Sequence, residues 1–385
     1  MMVTQGKTIA IVGGGPGGLT LARLLQMRGA TVIVYERDVK KDARVQGATL
    51  DLHDESGLKA LKQAGLLEAF KAHYRPGADK VRLVDKHATI VFDEHTAPDK
   101  ETFGHEAFRP EIDRGPLRKL LLESLQPDTV VWNSQFLSMT QLGSAWKLDF
   151  QNGTSTQADI VIAADGANSK IRPFITPIKP FYAGITVVEG SVYDAETTVP
   201  GIYSLLKGGK VFAVDDSKTL IVSAKGDGSL AFYTGCKTNE HWAQSSNINF
   251  ADNAQVLAWF KQEFSGWDSV WWELFDNDKA QFMPRPQYCM PVDQTWDALP
   301  NLTMLGDAAH LMPPYAGEGV NMAMLDALEL SECLTSTGFP DVKTAIEVYE
   351  NQMRARASET AQLTLEQTEA LHSPNAMATM MAIFD

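Results

Sequence analysis

Thr8-Ile9-Ala10-Ile11-Val12-Gly13-Gly14-Gly15-Pro16-Gly17-Gly18 runs from a β-branched, mostly apolar segment straight into glycines. Such a short apolar run is the pattern of a strand buried in a parallel sheet. Gly13, Gly15 and Gly18 stand at G-x-G-x-x-G spacing. Without side chains they permit a tight turn, the approach of a pyrophosphate and close packing of helix on strand. Leu19, Ala22, Leu25 and Gln26 then give a mostly apolar helical face, and Gly29 is placed to end the helix. Phosphates at the start of that helix would meet backbone N–H groups that lack intrahelical partners. A second strand, Thr31-Val32-Ile33-Val34-Tyr35, ends at Glu36, where a carboxylate can accept hydrogen bonds from ribose hydroxyls. An ordinary glycine turn would not require strand, helix, strand and acid in this register.

Two later segments repeat the form of a strand delivering a loop. Ala158 to Ala164 leads into Asp165-Gly166-Ala167-Asn168-Ser169-Lys170-Ile171-Arg172, and Leu302-Thr303-Met304-Leu305 leads into Gly306-Asp307-Ala308-Ala309-His310, continuing to Asn321. The three segments together resemble the fingerprints of the aromatic-ring hydroxylases, the single-component (class A) flavoprotein monooxygenases. Tyr35-Glu36-Arg37-Asp38, Ala43-Arg44, Thr49-Leu50-Asp51-Leu52-His53, Pro110-Glu111-Ile112-Asp113-Arg114, Leu117-Arg118 and His310 to Gly317 are similar to the tetracycline-inactivating branch of that family.

The resemblance implies an α/β fold. A discontinuous, Rossmann-like FAD-binding domain (1–72, 104–173 and 285–345) would adjoin an antiparallel β-sheet substrate domain (73–103 and 174–284), with a C-terminal bridging helix (346–385). It implies FAD as cofactor, NADPH or NADH as co-substrate, molecular oxygen as oxidant and hydroxylation through a flavin C4a-hydroperoxide. The chemistry is then carried by the flavin, no side chain is assigned as catalytic, and the protein's tasks are binding, orientation and electrostatics. Gly13, Gly15, Gly18 and Glu36 would bind the nucleotide with Asp165 and Gly166. Asp307 would hold ribityl or phosphate groups, and Arg44 and Arg118 would offer forked donors to phosphate or ribose oxygens. Arg37 would stack beside the adenine or be exposed. Asp51 would lie near the flavin ring, Pro313, Pro314 and Gly317 would shape the approach to it, and a helix starting at Gly319 would aim its positive end at the pyrimidine ring. His310 is expected to fix its loop rather than act as a base.

On the substrate side, Glu189, Lys210, Tyr233, Pro313 and Tyr315 are the candidates. Glu189, Lys210, Ala231 and Tyr233 align where the tetracycline-inactivating branch uses glutamine, arginine, histidine and glycine, and Glu318 replaces its glutamine. A carboxylate at 318 would disfavour an anionic reduced flavin unless it turns away. The substrate expected is a small aromatic or polycyclic molecule, with tetracyclines as the leading class. The rivals are another metabolite's hydroxylase or epoxidase and a non-catalytic drug-binding or redox-sensing flavoprotein.

Composition agrees with small-molecule chemistry. The 385 residues carry 44% hydrophobic content, enough for two domains, and a net charge of −14 that argues against a nucleic-acid partner. With seven residues before the first strand and no apolar run of about 18 residues, a cytoplasmic protein without membrane contact is expected, and a monomer. Cys236, Cys289 and Cys333 are too widely spaced for a zinc site and read as reduced and buried; His87, His95 and His105 match no metal-ligand spacing.

Further along, Ser56 to Phe70 predicts one amphipathic helix, Arg75 to Glu101 a hairpin lent to the other domain, and Arg114 to Leu125 a helix. Strand-like runs at 185–188, 210–214, 219–222 and 230–234 predict the antiparallel sheet. Trp267, Trp271 and Trp272 read as packing in preference to a stacking box for a ligand. The pattern is helical from Val342 onward, with Arg354 and Arg356 read as solvated surface.

Overall fold

A computed structural model describes residues 2–41, 47–96, 102–105 and 108–384. Five strands form a parallel sheet in the spatial order Leu302–Met304, Ile160–Ala163, Thr8–Val12, Thr31–Tyr35 and Val130–Val131. Ile11 lies between Ile162 and Val34 and is fully buried, as the apolar run requires. The helix Pro16–Met27 packs against the helix Gly319–Thr335, and a small antiparallel sheet formed by 136–142, 145–150 and 155–158 adds Phe136, Leu148 and Phe150 to the same core. Three neighbouring parallel strands, starting at Thr8, Ile160 and Leu302, therefore release their loops side by side at one edge, the position where open α/β sheets bind ligands.

The second sheet has seven strands in the order Ala280–Cys289, Phe181–Val192, Leu230–Lys237, Lys218–Ala224, Lys210–Asp215, Val81–Val84 and Ile90–Asp93. All its pairs are antiparallel except that of Lys210–Asp215 with Val81–Val84, so the 81–93 hairpin does join this sheet. One face is buried under the helix Asn253–Glu263, with Phe232, Phe260, Trp267 and Trp271 in the core. Trp272 lies outside, with Lys261 over its ring, so these tryptophans are packing and surface.

Four sequence expectations change. The boundary drawn at 284/285 falls inside the strand Ala280–Cys289; Pro284 and Pro286 disguise it, and an edge strand tolerates their missing donors. The 56–70 helix is two, Gly57–Gln63 and Leu67–Lys71, broken at Gly65 with φ +71°. The C-terminal helix starts at Val342, as its pattern predicts, with Asp341 as its cap, so the bound drawn at 346 falls inside it; it stops at Leu371 before Pro374 instead of running on, and Ala376–Phe384 is a separate helix. Arg354 and Arg356 are engaged: Arg354 packs on Trp296 and bonds its carbonyl, and Arg356 pairs with Asp326 and Glu329. Cys236, Cys289 and Cys333 are free and buried. Among the described residues, no helix is long and apolar enough to cross a membrane.

Candidate active site

The glycine turn is built as its spacing requires. Gly13 has φ +115°, and a Cβ there would meet the Ala164 carbonyl oxygen at 2.1 Å; one at Gly18 would meet the Gly13 carbonyl oxygen at 2.2 Å. A Cβ on Gly15 would meet nothing within 4 Å, so this face of the turn is open. Pro16 starts the helix, and no side chain caps its N-terminus, which leaves backbone donors for an anion. Buried Glu36 accepts from the Gly14 N–H at 2.6 Å and the Asp38 N–H at 2.9 Å, so it also holds the turn. Arg118 reaches Asp38 at 3.0 Å and lies over Trp132, beside the Glu36 end of the strand. Arg37 is exposed, and Arg44 lies outside the described residues.

Arg172 joins the other two loops. Its guanidinium donates to the carbonyls of Ala308, Asp307 and Ala167, binding the Asp165-Gly166 loop to the Gly306–His310 segment. Asp165 accepts from the Lys170 N–H at 2.8 Å, while its other oxygen is buried without a partner and burial pushes the carboxyl up. Gly166, with φ +80°, is open around its Cβ position. Asp307 is exposed between buried Gly306 and Ala308, although the protein packed around it raises its carboxyl. His310 is structural: its Nε2 meets buried Asp326 at 2.6 Å, and Asp326 also accepts from the Gly306 N–H at 2.9 Å. Burial opposes both charges, but their mutual attraction outweighs it: Asp326 is held below its ordinary value, with help from Arg356, and His310 above its own against the repulsion of Arg356.

Next to these loops, Gly317 has φ +71°, and a Cβ there would stand 3.3 Å from the Asp51 carboxylate. Gly319, open around its Cβ position, begins the helix whose N-cap is Glu318. Asp51 bonds His53 at 3.0 Å, and His53 faces Glu318 at 3.3 Å on its other nitrogen. Burial works against the Asp51 charge, but the His53 bond and Lys210 outweigh it and keep the carboxyl low. Pro313 is buried and Pro314 exposed. The Tyr315 hydroxyl packs toward Gly235 and meets His372 at 3.3 Å, so this loop is latched to the C-terminal helix.

The face of the seven-stranded sheet turned away from the Asn253–Glu263 helix carries Lys210, Tyr233 and Glu189, with Glu189 directly across from Tyr233. Tyr233 accepts from the Ala48 N–H at 2.9 Å, just before Asp51. Glu189 is ion-paired with Arg285 and Lys210 with Glu111; burial opposes the charge on half-buried Lys210, but Glu111 and Asp51 outweigh it and hold its ammonium above the ordinary value. Ala231 is fully buried on the same face. His53, Glu111 and Arg172 were legible only as members of quoted motifs, while Asp326 and Arg285 gave no sequence signal.

These residues fit FAD: an open glycine turn at an uncapped helix for a pyrophosphate, an unpartnered Asp165 oxygen, and an Asp307 carboxylate with an open side. Asp307→Ala is therefore expected to lower FAD occupancy at least tenfold with unchanged circular dichroism of the apo form. Unchanged occupancy by flavin absorbance would contradict the role.

The comparisons agree with this geometry. The model of the FAD-binding domain family matches residues 7–364. The chain is 29% identical to monooxygenase asqM of Emericella nidulans, covering 92% of this chain and 93% of that one. It is 27% identical to 6-hydroxynicotinate 3-monooxygenase of Pseudomonas fluorescens, covering 95% and 92%. Its fold is that of tetracycline destructase Tet(55), with TM-score 0.76 at 19% identity over 100% of this chain and 96% of that chain. With the three loops converging on one sheet edge and the family model spanning nearly all of it, the chain belongs to the FAD-binding monooxygenases, the class A flavoprotein hydroxylases.

Proposed function

We propose that the protein is an NAD(P)H-consuming hydroxylase of a small aromatic or polycyclic substrate. The observation that carries this reading is the placement of Lys210, Tyr233 and Glu189 on a sheet face tied through Ala48 and Asp51 to the Gly317 loop. When bound, FAD would pass two electrons from NAD(P)H to O2, so that one oxygen atom enters the substrate and the other leaves as water. The chain's residues hold and orient: the first glycine turn takes the pyrophosphate, Asp307 and Asp165 the polar middle of the cofactor, and the Gly319 helix N-terminus the charge that develops on reduction. The seven-stranded sheet serves as the substrate domain and shields the reacting centre from water.

A hydroxylated single ring is the preferred substrate class, supported by the relative named for 6-hydroxynicotinate. The fold shared with a tetracycline destructase supports the larger drug. Against the drug stand the Glu189–Arg285 and Lys210–Glu111 pairs, since a ligand recruiting any of these charges must compete with a contact already made. The test is a mass-spectrometric screen of hydroxylated aromatics and tetracyclines with NADPH or NADH and oxygen. A product heavier by one oxygen, with faster NAD(P)H consumption in its presence, is expected for a single-ring phenol. A ligand that only shifts the flavin spectrum would make the protein a binder. Tight-coupled turnover of tetracycline, not improved by combined Glu189→Gln, Lys210→Arg, Ala231→His and Tyr233→Gly, would overturn the single-ring preference.

A further inference from the structure

Five groups of alternating sign follow one another from the substrate sheet to the start of the Gly319–Thr335 helix: Glu111, Lys210, Asp51, His53 and Glu318. His53 sits at the centre of the last three and is 1% exposed. Its Nε2 meets Asp51 at 3.0 Å, and its Nδ1 faces Glu318 at 3.3 Å and the more exposed Glu55 at 3.9 Å. Asn321, in the first turn of the helix, fixes the backbone that carries the ring: its side chain accepts from the His53 backbone N–H at 2.9 Å and donates to the Asp51 backbone carbonyl at 3.0 Å. The helix N-cap is thus a carboxylate that points back to an imidazole anchored on the same helix.

A free carboxylate at this position would offset the positive end of the helix, which amounts to roughly half a charge. Reduction of a flavin adds negative charge, and nearby protein charge tunes how readily that occurs. We propose, resting on the FAD reading above, that His53 is a positioning residue: as an imidazolium it draws Glu318 into the protein and balances its charge, so that the helix N-terminus still favours the reduced flavin. Burial opposes the charge on His53, but Asp51 and Glu318 outweigh it and raise its pKa to about 9. Above that pH the ring becomes neutral, Glu318 is left uncompensated, and reduction becomes harder.

The experiment is the flavin midpoint potential, measured against reference dyes in the FAD-loaded wild type, H53Q, E318Q and the double variant, at pH values below and above about 9. Below that pH, H53Q is expected to lower the equilibrium for reduction about tenfold, or about 30 mV for a two-electron couple. E318Q is expected to show no such fall, and the double variant to match E318Q. A merely structural His53 would give a double variant at least as impaired as H53Q, and that result overturns the proposal. Should H53Q fail to hold FAD, the pH profiles decide: an extra downward break near pH 9 in wild type that moves lower in E318Q supports it, and identical profiles overturn it. Loss of FAD from all four proteins, wild type included, would sink the cofactor reading and this inference together, whereas four loaded proteins with equal potentials sink this inference alone.

Discussion

Gly18→Val protein is expected to purify without bound flavin and to remain colourless when FAD is added. The Cβ it introduces would lie 2.2 Å from the Gly13 carbonyl oxygen and 3.2 Å from the Ala164 Cβ. Neither neighbour can give way, because Gly13 is itself pressed against the Ala164 backbone. The helix Pro16–Met27 must move off the sheet, at an overpacking cost of about 1–3 kcal/mol or more, and the turn opens with it. Gly15→Ala separates packing from binding. Its Cβ enters open space at an ordinary negative φ, so the melting temperature should hold while FAD affinity falls at least tenfold. A Gly18→Val protein that retains FAD, or a Gly15→Ala protein that binds it as wild type does, would contradict the assignment of this turn.

Asp326→Ala is expected to lose about 3–5 kcal/mol of stability, the scale for leaving a buried charge without its partner. Asp326 is fully buried, and three donors depend on it: the Gly306 N–H, His310 Nε2 and Arg356. Truncation strands the His310 imidazolium, leaves the Arg356 guanidinium to Glu329 alone and frees the Gly306–Asp307 segment, so flavin occupancy should fall with stability. Asp326→Asn keeps the volume and an acceptor for Gly306 while removing the charge, and should fall between. Denaturant titration and flavin absorbance read both effects, and an Asp326→Ala protein as stable as wild type would remove His310 and Asp326 from the framework of the site.

The pattern of success along the chain has physical causes. Thr8 to Gly18 was legible because turn, helix start and strand depend on residues a few positions apart, and the structure reproduces Thr8–Val12 and Thr31–Tyr35 as read. The run at Lys210 was legible for the same reason; the strand around Pro284 and Pro286 was not, since only its edge position makes prolines admissible. Side-chain partners were the harder part. Arg356 looks like surface until the fold brings Asp326 to it from 30 residues away, and Arg285 meets Glu189 across 96 residues. Glu318 could be flagged as an acid beside the flavin from the motif alone, but that it faces His53 depends on how Asn321 docks the helix against the Asp51 strand.

Three loops at one sheet edge are built to hold a dinucleotide flavin, and this can be put to direct test. Denaturing the purified yellow protein and identifying the released flavin by chromatography and mass tests it most directly. FAD at close to one equivalent per chain is the predicted result, because the open face of Gly15 at an uncapped helix suits a pyrophosphate that FMN lacks. Released FMN, or a colourless folded protein that takes up no FAD, would contradict it.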